Sequence, residues 1–497
     1  MVYRTKGKVL IIYTGGTIGS FPKDRSNQFS PLIPASLGEI MDKLPNYDLH
    51  EQKIRIEDKI IKIGTYSFRK PVDSSDLQVE NWVEIARTIH NNYAKYDGFV
   101  ILHGTDILAY TASALAFMFE NLGKPVVLTG SQRPISQTRT DATQNIVTAI
   151  EIASAKSLGH PVIPEVCVVF GNEIYRGCRS TKIDASGYKA FDSPDYPPLG
   201  KVGMHVKVAP GLLASMPASE ISHTEKLERN VASIVIFPGM NIKLLENILS
   251  VDGLKGVVLQ TYGSGNTPTH LEFLETIYKA IQRGIIVVDV TQCKAGEVEL
   301  GLYQTSEKLL SQGVISGLDM TPEAALVKLM VVLGQNNERE VAEDLLQINL
   351  RGEQSRSVFN LHFPKGRIES KSNMTFNQNH PMTLGHERFN PELVDIALLR
   401  IAGLRVSGKC QKGEINLSFY VDLPDSQKAK PANNPHFLCS ISKFWTDKTG
   451  WESSLVPITE KILPFIDNKH INTITVVNRG SRAVKWEKLE FVFYTRC

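Results

Sequence analysis

The sequence predicts an α/β protein: two parallel-sheet units in succession, then a β-rich unit of the sandwich kind. Three observations carry that prediction. Short β-branched runs alternate with helical patterns over roughly the first 350 residues, the order expected of right-handed βαβ units on a parallel sheet. After about Gly352 the apolar residues alternate with period two, broken by Pro, Asn and Gly. The charge changes at the same place: residues 355–497 hold 20 Lys and Arg against 13 Asp and Glu, about +7, and residues 1–354 are near −4.

In the first unit, residues 1–210, Lys8–Tyr13, Gly98–Leu102, Pro125–Thr129 and Val166–Phe170 read as buried strands. The amphipathic stretches Asp76–Tyr96 and Leu108–Leu122 read as helices between them. Small, polar Gly211–Lys226 is the expected connector. The second unit, residues 228–352, repeats the pattern with strands Ser233–Phe237, Gly256–Gln260 and Gly284–Val290. In the third, residues 355–497, Ile415–Val421, Ile471–Val477 and Leu489–Tyr494 alternate in polarity, and Pro424, Pro431 and Pro435 mark a loop.

A chain of 497 residues is too long for a single core. Val9–Tyr13 is too short for the apolar part of an export signal, and no apolar run reaches the roughly 18–20 residues that span a bilayer. The six cysteines (Cys167, Cys178, Cys293, Cys410, Cys439, Cys497) form no CxxC pair, which fits reduced thiols and a cytoplasmic setting. The positive excess of the last unit is too dilute for nucleic acid. A soluble chain with neither membrane nor nucleic-acid partners is the expectation.

Polar clusters follow the strands. Thr14-Gly15-Gly16-Thr17-Ile18-Gly19 comes directly after the first, where active sites of parallel sheets form. It lacks the GxGxxG spacing of a dinucleotide site and the Lys-Ser/Thr ending of a P-loop. Asp73-Ser74-Ser75-Asp76 precedes a helix, and Ser75 with Gln78 fits a capping box. His103-Gly104-Thr105-Asp106 follows the next buried strand, with Asp106 as a possible N-cap. Lys182 ends Tyr175-Arg176-Gly177-Cys178-Arg179-Ser180-Thr181-Lys182 and alone reads as a solvated charge. Three polar clusters at strand ends on one sheet edge are more than capping requires.

Together with Tyr262-Gly263-Ser264-Gly265-Asn266, Asp289–Cys293 and Leu318–Thr321, these motifs resemble a bacterial-type L-asparaginase of the cytoplasmic (type I) branch. The resemblance covers roughly residues 8–352 and leaves 355–497 unrecognised. It implies hydrolysis of L-asparagine to aspartate and ammonia through a covalent intermediate on Thr17. It makes Thr105, Asp106 and Lys182 the second catalytic group. Asp73, Ser74 and Ser75, with Thr105 and Asp106, would hold the substrate's α-carboxylate and α-amino groups. It also implies a homo-oligomer, dimer or tetramer, and no metal or organic cofactor.

That chemistry is sound in itself. A threonine hydroxyl needs a nearby base or proton relay, and a lysine beside a carboxylate can complete one. Backbone N–H groups of a glycine turn can stabilise the oxyanion. Two positions depart from the family pattern. Phe29 stands where the mobile loop usually carries a tyrosine. Gln260 stands where members with an activating second asparagine site carry an arginine, although Asn266, Thr291 and Cys293 of that site are present. The rival readings are an amidase that takes glutamine, the subunit that feeds ammonia to mischarged tRNA, and an inactive scaffold for the β-rich unit. A lysophospholipase elbow, GxSxG, is absent.

Overall fold

Strand β1 (Thr5–Gly15) is continuously apolar from Val9 to Tyr13 because it is covered on both faces, and no residue of that run is more than 3% exposed. A computed structural model describes residues 5–27, 30–157, 160–300, 304–377, 390–406, 413–424, 434–445, 452–466 and 471–496. In it, β1 lies between β2 (Lys59–Val72) and β3 (Gly98–Leu102) in a set of five parallel strands completed by β4 (Val126–Thr129) and β5 (Val166–Phe170). Their order is β5-β4-β3-β1-β2, and antiparallel strands extend both edges to ten, beginning with β6 (Glu173–Arg176) beside β5.

Successive side chains of a strand point to opposite faces. Leu10 and Ile12 therefore join one core with α1 (Val79–Asn92) and α2 (Leu108–Met118), while Val9, Ile11 and Tyr13 join another with α3 (Ala142–Ser154). α2 is apolar almost all round because a second layer covers it. Ala324, Val327 and Val331 of α4 (Pro322–Gln335) pack into the same cluster.

The second sheet is parallel and runs β7 (Val231–Val235), β8 (Gly256–Thr261), β9 (Ile286–Thr291), β10 (Ile315–Ser316). The expected strand Ser233–Phe237 thus begins and ends two residues earlier. β7 is an edge strand that ends at half-exposed Val235, with half-exposed Phe237 two residues beyond it, so the apolar run outlasts the ladder. The connector carries a short strand, Ser222–His223, paired with Phe119–Glu120.

Beyond α5 (Arg339–Gln347) come two antiparallel sheets. One runs β11 (Arg356–Phe363), Lys488–Arg496, Val394–Val406, Val484–Trp486, Gly366–Ile368, with Glu452–Pro457 also on Val394–Val406. The other runs Ser372–Asn377, Thr473–Asn478, Gly413–Val421, Phe437–Trp445. Their inward residues, including Leu361, Leu399 and Phe491 from the first and Leu417, Phe419 and Val476 from the second, make one core, as a sandwich requires. Ile462 and Ile466 of the helix Thr459–Ile466, which the period-two pattern did not announce, join it, and so does Ile348. Cys167, Cys178, Cys293 and Cys439 are free thiols; Cys410 and Cys497 lie outside the described residues. No described helix is long and apolar enough to cross a membrane.

Candidate active site

The register of β1 brings the polar clusters to one edge. Gly15 pairs with Val72 at the end of β2, and Tyr13 pairs with Leu102 at the end of β3. The chain therefore leaves all three strands at the carboxyl edge of the sheet, side by side. The approach is too close for side chains. Gly15 and Gly16 have φ of +123° and +87°, and a Cβ on Gly15 would lie 2.0 Å from the Val72 carbonyl oxygen. A Cβ on Gly16 would lie 2.4 Å from Gly104 Cα, and one on Gly104 would lie 2.6 Å from Ser74 Oγ. Thr17, Ser74 and Thr105 thus flank one backbone-on-backbone stack.

The two threonines of the glycine turn have different fates. Thr14 is fully buried and its hydroxyl donates to the Leu102 carbonyl at 3.1 Å, which ties β1 to β3. Thr17 opens the 3-10 turn Thr17–Gly19 and is half-buried, and no described group is hydrogen-bonded to its hydroxyl.

Lys182 joins the site from the far side. Its Nζ donates to Thr105 Oγ1 at 2.9 Å and to Asp106 Oδ1 at 2.8 Å, with the lysine side chain 20% exposed and the carboxylate 60%. Asp106 is therefore not a cap; Ile107 precedes α2, with no side-chain capping bond. Thr181, one residue back, donates its hydroxyl to Glu323 Oε1 at 2.7 Å, and Lys182 pairs with Phe191 in a two-residue ladder.

The Asp73 carboxylate accepts from the Ser75 N–H at 3.0 Å and the Ser75 hydroxyl at 2.8 Å, which caps the 3-10 turn Ser74–Asp76. The expected Ser75–Gln78 capping box does not form, because this turn consumes the Ser75 hydroxyl before α1 begins. Gln78 instead donates its N–H to Asn81 Oδ1 at 2.8 Å. Behind the site, His103 is wholly buried. Its Nδ1 lies 2.6 Å from the Gly104 carbonyl, which only accepts, so Nδ1 carries the proton. Its Nε2 then accepts from Thr111, whose oxygen accepts from the Trp82 indole N–H at 2.9 Å. Burial pushes the His103 pKa down to about 4, so it is a neutral brace and not a base.

Arg176 and Arg179, which sequence reasoning passed over, hold the Lys182 loop. Arg176 makes a two-pronged contact with Glu165, at 2.6 and 3.2 Å, and Arg179 donates to Asp319 Oδ2 at 2.8 Å. Both are almost completely buried. Two arginines spaced i, i+3 were the available signal; Glu165 lies 11 residues from Arg176, but Asp319 lies 140 residues from Arg179.

The residues of the candidate second site line the carboxyl ends of β8 and β9. Gln260 Nε2 donates to Ser233 Oγ at 3.0 Å, and the Thr291 hydroxyl accepts from the Cys293 N–H at 3.0 Å. Asn266 exchanges backbone bonds with Tyr262. Phe29 lies outside the described residues, although the hairpin of Ser20–Pro22 with Leu32–Pro34 flanks it.

Two family models match in tandem: Asparaginase, N-terminal, over residues 8–212, and Glutaminase/Asparaginase C-terminal domain over residues 230–346. The chain is 39% identical over 348 residues to L-asparaginase 1 of Escherichia coli K12, covering 70% of this chain and 98% of that one. It is also 39% identical over 367 residues to the 60 kDa lysophospholipase of Mus musculus, of which it covers 62%. Among solved structures, L-asparaginase I from Vibrio cholerae superposes with a TM-score of 0.62 at 38% identity, covering 70% of this chain and 99% of that one.

Proposed function

This chain belongs to the asparaginase family, and from that premise we propose that it hydrolyses the side-chain amide of L-asparagine with Thr17 as nucleophile. The observation that carries the reading is the contact of Lys182 Nζ with both Thr105 and Asp106 beside the glycine stack. In this reading Thr17 Oγ attacks the amide carbon. Its proton passes through the site to the amide nitrogen, the C–N bond breaks, and the nitrogen leaves as ammonia. Water then attacks the resulting ester, releases aspartate and returns a proton to Thr17.

Lys182 as an ammonium can only donate, so its bond to Thr105 holds that oxygen and leaves the Thr105 hydroxyl proton free to point elsewhere. Giving up a proton makes the lysine amine an acceptor, and Thr105 becomes a relay. Asp106, largely exposed, has a carboxylate to offer the substrate's α-amino group, and Ser74, with Asp73 and Ser75, would hold the α-carboxylate. The N–H groups of the Gly15–Thr17 turn are the donors for the oxyanion. The units follow the boundaries 1–210, 228–352 and 355–497, and the working form is a cytoplasmic homo-oligomer, dimer or tetramer.

Ammonia release measured with asparagine and glutamine side by side tests the reading. Asparagine should be strongly preferred, and Thr17→Ala should lower kcat on the order of 10³-fold or more. A folded Thr17→Ala protein with near-normal turnover, or an equal rate on glutamine, would refute it.

A further inference from the structure

The residue that leads into the C-terminal sheets is bonded to the loop that carries Lys182. Arg179 ends the 3-10 turn Gly177–Arg179, three residues before Lys182, and is 2% exposed. Its Nε donates to the Gly352 carbonyl at 2.7 Å, and its Nη1 donates to the Asp319 carbonyl at 3.2 Å and to Asp319 Oδ2 at 2.8 Å. Its Nη2 donates to Ser355 Oγ at 3.1 Å. Ser355 in turn gives its N–H to Asp319 Oδ1 at 2.8 Å and its hydroxyl to Asp319 Oδ2. Arginine, aspartate and serine therefore close a ring in which the Ser355 hydroxyl both accepts and donates.

The next residue, Arg356, opens β11, which pairs along its whole length with the strand Lys488–Arg496, from Arg356 with Arg496 to Phe363 with Leu489. The match to the second family model ends at residue 346, so Gly352 and Ser355 lie beyond it. On the other side of the ring the chain runs from Arg179 through Ser180 and Thr181 to Lys182, with no loop between in which a displacement could dissipate. Ser180 is pinned by its hydroxyl on the Gly177 carbonyl at 2.9 Å, and Thr181 by Glu323.

We propose that Ser355 is a positioning residue for the reaction at Lys182, acting through Arg179, and that it ties the seating of the C-terminal sheets to the placement of Lys182 against Thr105 and Asp106. The proposal rests on the reading of Lys182 as catalytic. Loss of the Ser355 hydroxyl takes one of the partners from a charged, buried guanidinium and one donor from Asp319, so the ring must re-form around fewer bonds. A shift of the order of 1 Å in a catalytic group can cost about 10²-fold in rate, and a partial shift through three residues should cost less.

The test uses the full-length protein with Ser355→Ala, Ser355→Thr and Lys182→Met, reading kcat, KM for asparagine and the pH dependence of kcat. Ser355 is exposed, so the threonine methyl has room and neither change threatens the fold. Ser355→Ala should lower kcat roughly three- to tenfold, leave KM within about twofold and displace the pH profile. Ser355→Thr, which keeps the hydroxyl, should restore both. Wild-type kcat and pH profile in Ser355→Ala, or a Ser355→Thr that behaves like the alanine variant, would overturn the proposal. Wild-type turnover in Lys182→Met would instead overturn the reading of the site itself.

Discussion

Lys328 Nζ lies 2.7 Å from Glu353 Oε1, and neither side chain has any exposure to solvent. The ammonium also donates to the carbonyls of Leu346 and Ile348, at 3.0 and 2.7 Å, and to Gln354 Oε1 at 3.1 Å. The carboxylate accepts from the N–H groups of Leu350 and Arg351. Burial alone would raise the Glu353 pKa, but the Lys328 charge and these donors outweigh it and hold the carboxyl below its ordinary value. The pair knots the stretch where the asparaginase part passes into the C-terminal sheets.

Breaking one half of that knot should be costly. Glu353→Gln leaves an ammonium buried without a counter-charge, for an expected loss of about 3–5 kcal/mol in urea unfolding. Adding Lys328→Met to it should restore much of the loss. A single mutant as stable as wild type would show that the knot is dispensable.

A chain shortened to end at Gly352 loses Glu353 and also strips Leu345, Ile348 and Leu350 of the sheet residues they pack against. Such a chain should aggregate, with most of it in the pellet on expression. A monodisperse, active short chain on a sizing column would instead show that the sheets are a free-standing appendage.

His362 sets a pH window for the same junction. Its Nδ1 is 2.9 Å from Glu490 Oε2 on the neighbouring strand, and its Nε2 is 3.6 Å from Asp344 Oδ1 on α5. Arg400 and Lys488 also face Glu490, at 2.9 and 3.4 Å. Burial disfavours the imidazolium, but the two carboxylates outweigh it and carry the pKa to about 9. A raised pKa means a contribution that is complete below about 6.5 and is lost as the pH rises through about 9. The melting temperature should fall across that window, and His362→Gln should flatten the fall. An unchanged slope in the variant would remove His362 from the account.

The two threonines of one motif should separate cleanly. Thr14→Val removes a buried bond to the Leu102 carbonyl and should cost about 1–3 kcal/mol of stability while turnover per folded molecule stays within a few-fold. Thr17→Val should do the reverse, with melting nearly unchanged and activity gone. If the phenotypes were exchanged, the wrong hydroxyl would have been assigned.

Gln260 bears on activation by substrate. It is neutral and already donates to Ser233, so it lacks the forked charge with which an arginine grips a carboxylate. Velocity against asparagine concentration should be close to hyperbolic. A sigmoidal curve that Thr291→Val converts to a hyperbola would show that the second site works without an arginine.

Strands buried on both faces were the most legible part of the fold. Gly98–Leu102 and Val166–Phe170 begin and end where their apolar runs do. β2 escaped notice because its exposed positions are Lys62, Thr65, Ser67, Arg69 and Lys70, which break up the apolar run and look like loop. Within the site, the motifs singled out Thr17, Ser74, Thr105, Asp106 and Lys182 as candidates. Only the family resemblance set Thr17 apart from Thr14, since the residues alone do not say that the Leu102 carbonyl takes up the Thr14 hydroxyl. Nor did the motifs reveal Arg179, Asp319 and Ser355, whose ring joins Arg179 to partners 140 and 176 residues away and Asp319 to Ser355 across 36.

The glycine stack limits how the enzyme can change. At Gly15, Gly16 and Gly104 any substitution sets a carbon where the Val72 oxygen, Gly104 Cα or Ser74 Oγ already sits. A mutational walk toward another amide meets a closed door at these three places, however mild the replacement. The open routes are through positions that already bear outward side chains and take no part in the proposed machinery, such as Leu32 and Ile33 of the hairpin. Libraries aimed at selectivity would do better to sample those two and leave the glycines alone.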